Sequence, residues 1–124
     1  MPVFVFGSNL AGRHGKGAAL HALKHCGAVY GQGVGLQGNS YAVPTKDERL
    51  VSLPLSVINR YVGEFLWFAE QHPELVFEVT PIGCGLAGYQ PCHVAPMFAV
   101  VPANVILPDA FLEALRLADL PKQG

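Results

Sequence analysis

Charge is scarce in this chain: Asp, Glu, Lys and Arg together make up 14% of 124 residues, with eight Lys and Arg against nine Asp and Glu. No run of basic residues supplies the footprint of a nucleic-acid binder or of a protein that adheres to anionic membrane, so polymeric nucleic acid is not an expected partner. Long hydrophobic runs are missing too. Met1-Pro-Val-Phe-Val-Phe6 is apolar but meets Gly7-Ser8 at once, too short for a signal-peptide core or a membrane span, and no membrane partner is expected. Cysteine is limited to Cys26, Cys84 and Cys92, an odd number without a CxxC pair. That argues against both a disulfide framework and a thiolate zinc site, and fits a reducing cytoplasm. Internal repeats and low-complexity tracts are absent, and nothing in the pattern sets an oligomeric state.

What the chain has is apolar material: 51% of its residues are hydrophobic, enough for one core. One domain over residues 1–120 is expected, with 121–124 as a frayed tail. Residues 2–6 read as a buried strand that runs into the turn at Gly7-Ser-Asn9. Residues 18–25 hold strong helix formers and end at Gly27, a C-cap. Five glycines at 27, 31, 33, 35 and 38 make the next stretch a loop or a short irregular hairpin. Residues 40–43 read as a strand stopped by Pro44, and 45–49 as a surface loop.

Ile58, Tyr61, Val62, Phe65 and Phe68 recur at three- and four-residue intervals, which predicts an amphipathic helix over 55–72 bracketed by Pro54 and Pro73. Trp67 and Phe68 follow that period and so belong to the core or to a partner-facing side. Residues 75–82 form a strand, 91–99 a helix in spite of Pro96, 101–107 another strand, and Asp109 caps a last helix through 117. Strands that alternate with helices imply an α/β fold with a largely parallel sheet between helices.

Two glycine-rich segments each follow a strand: Phe6-Gly-Ser-Asn-Leu-Ala-Gly-Arg-His-Gly-Lys-Gly-Ala-Ala19 and Thr80-Pro-Ile-Gly-Cys-Gly-Leu-Ala-Gly-Tyr89. Small residues let backbone N–H groups approach phosphate oxygens, and a helix N-terminus favours their charge. The first segment lacks the Ser or Thr that follows Lys in GxxxxGK[ST], and neither segment is a GxGxxG fingerprint. Nucleotide hydrolysis of the P-loop type and dehydrogenase chemistry lose support. In an open α/β sheet, loops at the carboxyl ends of neighbouring strands share one crevice.

These segments resemble the macro-domain family, in particular its ADP-ribose-glutamate hydrolase branch and small phage-encoded proteins of the same style. Asn9 and Gly15-Lys-Gly-Ala-Ala19 stand where the family contacts the distal ribose and diphosphate, and Pro81-Ile-Gly-Cys-Gly-Leu86 is similar to its diphosphate-wrapping loop. The resemblance implies a three-layer sandwich and an ADP-ribose-like ligand, with no cofactor and no metal. It implies a ligand wall of Gly7, Asn9, His14, Gly15, Gly17, Ala18, Gly83, Cys84, Gly85, Leu86 and Tyr89. Thr45-Lys46 matches the branch's nucleophilic lysine, whose amine attacks the anomeric carbon of ribose to give a Schiff base. Ala87 stands where the branch carries its acid, and Asp47, adjacent to Lys46 on an extended segment, points to the opposite face. The family's adenine-contacting acid precedes the segment that starts this chain, so the resemblance names no adenine-reading residue here. The phage likeness implies capture of a nucleotide made in host defence.

Several side chains keep two readings. His14 is a phosphate donor or general acid, or else a solvated loop histidine. Cys84 is a thiol activated by nearby N–H groups, or a small packing residue. Tyr89 stacks on ribose or base, or covers the core with its hydroxyl in water. His21 and His25 have zinc-ligand spacing without a third ligand, and Cys92-His93 lacks a third member. Three functions follow: a binder of ADP-ribose or a related phosphorylated ribose nucleotide, an ADP-ribosyl hydrolase using Lys46, and an interaction protein without a ligand.

Overall fold

The computed structural model describes residues 1–120, and the tail expected at 121–124 lies outside the described residues. In chain order the elements are β1 (Val3–Asn9), α1 (Gly17–His25), β2 (Gly35–Gln37), β3 (Ser40–Lys46), α2 (Leu55–Gln71), β4 (Phe77–Val79), α3 (Pro91–Val94), a 3-10 turn (Ala95–Phe98), β5 (Val105–Ile106) and α4 (Asp109–Ala118). The strands form one sheet in the order β2-β3-β1-β4-β5, parallel throughout except for the antiparallel β2–β3 pair.

Alternation along β1 builds the layers. Val3 and Val5 join the main core with Ile58, Val62 and Phe65 of α2, whereas Phe6 packs against Ala19 and Ala22 of α1. Helices α2, α3 and α4 share the first side and α1 takes the second, which makes an α/β fold of three layers. The main core is aromatic: Phe65 meets Phe77 edge-on at 5.4 Å, and Phe98 stacks on Phe111 at 5.4 Å. None of the described helices is long and apolar enough to cross a membrane.

From β1 the chain crosses over α1 to β3 on one side of the sheet, and from β4 it crosses over α3 to β5 on the other. The carboxyl ends of the neighbours β1 and β4 therefore open where the connections diverge, which is where open α/β sheets bind ligands.

The structure corrects several boundaries. β1 continues through Gly7, Ser8 and Asn9, and β3 runs past Pro44 to Lys46, so Thr45 and Lys46 are strand residues rather than surface loop. Pro44 is tolerated because β2 pairs no further than Ala42, leaving β1 as the neighbour at that position. β4 and β5 are shorter than expected. The 91–99 helix changes to 3-10 geometry at Ala95, since Pro96 has no N–H to donate, and Ala99 N–H bonds back to the Pro96 carbonyl. Asp109 is the first helical residue of α4, with Pro108 at the cap position.

Tyr41 on β3 is 6% exposed, and its ring meets Phe65 at 5.0 Å. Burial first, and the charge of Glu64 second, push its phenol from 10 up to about 12. The fold therefore holds the neutral phenol more tightly than the unfolded chain does. That contribution is fully present below pH 10 and is lost as the pH rises through about 12. Urea unfolding across this window is expected to show the parent protein losing on the order of 2 kcal/mol more than Tyr41→Phe. Equal losses would contradict the assignment.

Candidate functional site

The carboxyl ends of β1, β3 and β4 meet in a cleft of about 520 Å³. Two glycines, Gly7 and Gly17, mark where the second loop comes close. A Cβ on Gly7 would stand 3.5 Å from the backbone nitrogen of Gly83, and one on Gly17 would stand 3.9 Å from Leu86 Cδ1. The loop after β4 thus touches the end of β1 and reaches across to the start of α1.

Hydrogen-bond accounting shows what the second loop presents to the cleft. The carbonyls of Thr80, Pro81, Gly83 and Gly85 accept from the N–H groups of Ile82, Cys84, Tyr89 and Gly88, and that of Ala87 accepts from Ser52 Oγ at 2.6 Å. The N–H groups of Gly83, Gly85, Leu86 and Ala87 have no acceptor among the described residues, and all four residues line the cleft. Five of the loop's carbonyls are thus committed inside the protein, while four of its N–H groups are free.

The start of α1 adds to them. Gly17, Ala18 and Ala19 line the cleft with first-turn N–H groups, and Lys16 at the cap position supplies no side-chain oxygen to satisfy them. The positive end of the helix dipole lies at the same place.

Arg13, Lys16 and Lys46 also line the cleft, with no Asp or Glu among its described lining residues. The ion pairs among the described residues are His72–Glu74 and Arg116–Glu113, so these three cations are not neutralised by salt bridges there. The neutral polar side chains are already engaged. Ser8 Oγ donates to the Gly33 carbonyl, Thr45 Oγ1 to the Ser8 carbonyl at 3.3 Å and Thr80 Oγ1 to the Val5 carbonyl at 2.8 Å. Asn9 clamps the first loop: its Nδ2 donates to the Arg13 carbonyl and its Oδ1 accepts from the Arg13 N–H, both at 3.0 Å.

Of the residues read from the sequence, Gly7, Asn9, Gly15, Gly17, Ala18, Lys46, Gly83, Gly85 and Leu86 come together in this cleft. His14, Cys84 and Tyr89 are not among its lining residues, and each has a physical reason. His14 is fully buried: its Nε2 donates to the Gln32 carbonyl at 2.9 Å and to Gln37 Oε1 at 3.1 Å, and Nδ1 has no partner among the described residues. It is neither a phosphate donor nor a solvated histidine, but the tie between the first loop and the segment 32–37. Cys84 packs against the main core, and burial, then Cys92, push its thiol up, which opposes a reactive thiolate. Tyr89 donates its hydroxyl to the Leu53 carbonyl, anchoring the end of the second loop to the segment before α2. Asp47 is likewise taken, accepting from the N–H groups of Arg49 at 2.8 Å and Val51 at 3.0 Å.

Arg13 and Tyr30 were missed by sequence reasoning, and Lys16 was read only as part of the run Gly15-Lys-Gly-Ala-Ala19 and not as a site residue in its own right. The two cations flank His14-Gly15 inside the first glycine segment, and that flanking was the available signal. Tyr30 carried no signal, because a contact far along the chain positions it. Gly31 N–H bonds to the Gly12 carbonyl at 2.9 Å, which brings the 29–32 turn against the first loop.

The fold and the cleft together define a class: a three-layer α/β domain with a cationic, donor-lined cleft at the carboxyl ends of its central strands. Comparison with protein-family models, with curated proteins and with solved structures finds no match for the chain.

Proposed function

We propose that the cleft binds ADP-ribose or a closely related phosphorylated ribose nucleotide, and that it binds without turning the ligand over. The observation that carries this reading is the donor surface: four unpaired N–H groups in the second loop face a lining that also holds three cations and no carboxylate. Such a surface complements a diphosphate, because preorganised N–H groups stabilise anionic oxygen without a reorganisation cost. The likeness of the two loops to macro domains supplies the ribose. Lys46 has the position of a nucleophile or of a ribose contact, but no described carboxylate in the lining can protonate a leaving group, and Ala87 occupies the second loop where an acid would be useful.

Calorimetric titration with ADP-ribose, paired with chromatography of an ADP-ribosylated peptide, tests both halves of this reading. Saturable binding is expected, weakened about tenfold in Lys46→Ala by loss of one charge-assisted contact, with no release of ADP-ribose by the parent. No saturation at millimolar ligand would sink the binding reading. Release that disappears in Lys46→Ala would establish a hydrolase instead.

A further inference from the structure

We infer that this cleft is indifferent to the base: it takes a purine nucleoside diphosphate ribose as a class, holding the base by its face on Tyr30 and not by its edge. The inference rests on the diphosphate reading above and names the ligand class more closely.

Adenine and guanine present opposite groups at the six position, an amino donor in one and a carbonyl acceptor in the other. A site that selects between them needs a fixed side-chain or backbone acceptor, or a fixed donor, aimed at that edge. The lining has no side-chain acceptor to spare, and its free N–H groups and cations are the ones the diphosphate takes on the reading above. Ser8, Asn9, Thr45 and Thr80 are each bonded to backbone groups, and no Asp, Glu or Gln is among the described lining residues. The second loop's carbonyls of Thr80, Pro81, Gly83, Gly85 and Ala87 are already acceptors within the protein.

What remains for a base is an aromatic face. Tyr30 lines the cleft and is 61% exposed, so its ring is open to a ligand. It is also held in place. Its turn is bonded to Gly12, and its ring stands edge-on to the buried His14 imidazole at 6.4 Å. His14 in turn is fixed by Gln32, Gln37 and the edge-on contact with Phe6 at 5.2 Å. Stacking on such a platform tolerates any base, since every base has a π face. The Tyr30 hydroxyl both donates and accepts, so it suits either purine.

The test is titration of the whole protein with ADP-ribose, GDP-ribose and inorganic pyrophosphate, repeated on Tyr30→Ala and Tyr30→Phe. The two nucleotides are expected to bind within about threefold of each other. Tyr30→Ala is expected to weaken both alike by about tenfold and Tyr30→Phe to weaken both alike by less, since the ring face remains, while pyrophosphate binding is unchanged in Tyr30→Ala. A preference of more than tenfold for either nucleotide, or no loss in Tyr30→Ala, would overturn base indifference and leave the diphosphate reading standing. Failure of all three ligands to bind would remove both.

Discussion

Gly12→Ala is expected to lower the stability of the protein by about 3 kcal/mol or more, and its melting temperature by about 10 °C. Gly12 has φ +68, and a Cβ there would lie 2.3 Å from the Gly31 carbonyl carbon and 2.4 Å from the Gln32 nitrogen. Both obstacles are backbone, so no rotamer change relieves them. The turn carrying Tyr30 must move away, which strains the bond from Gly31 N–H to the Gly12 carbonyl and leaves the buried His14 network without its cover. Gly15→Ala, three residues on, is the control: a Cβ there meets nothing within 4 Å, and the change should stay within about 0.5 kcal/mol of the parent. Thermal melts of the two variants decide the matter, and equal melting temperatures would show that the first loop yields freely.

Gly85→Leu is expected to have the opposite profile, with stability kept and binding of ADP-ribose lost by about 100-fold or more, or roughly 3 kcal/mol. Gly85 lies outside the left-handed region and a Cβ there meets nothing within 4 Å, so the fold accommodates a side chain. Yet the residue sits among the unpaired N–H groups of the second loop, where a leucine would occupy the space of a phosphate. Gly83 is a poorer test, because its φ of +76 and the 3.3 Å approach to Val94 Cγ2 would mix folding with binding. Calorimetry with melts on Gly85→Leu separates the two, and unchanged affinity would place the ligand elsewhere.

Local patterns carried much of this architecture. Ile58, Val62, Phe65 and Ala69 mark the buried stripe of α2 at spacings of three and four, and that helix matches its expected span to within one residue. Both glycine loops were readable as strand ends, because glycine and proline punctuate the chain directly after apolar residues. The misreadings share one cause, which is dependence on partners distant in sequence. Pro44 reads as a strand end until β2 is seen to stop at Ala42. His14 reads as a loop histidine because Gln32 and Gln37, which bury it, lie 18 and 23 residues away. Tyr30 reads as one more residue of a glycine-rich stretch until Gly12 fixes its turn. The glycines of the cleft were found because strand ends in a parallel sheet converge by topology, which the order of elements already implies; Lys46, read as part of a surface loop, was singled out only by the resemblance of Thr45-Lys46 to the hydrolase branch, and β3 carries it to the cleft.

The most direct test of the central claim is an amide-resolved NMR titration of the protein with ADP-ribose. The account predicts the largest shifts at the N–H groups of Gly83, Gly85, Leu86 and Ala87, with Gly17, Ala18 and Ala19 moving at the same ligand concentration. Shifts confined to the exposed face of α2 around Trp67, with the two loops unmoved, would contradict it.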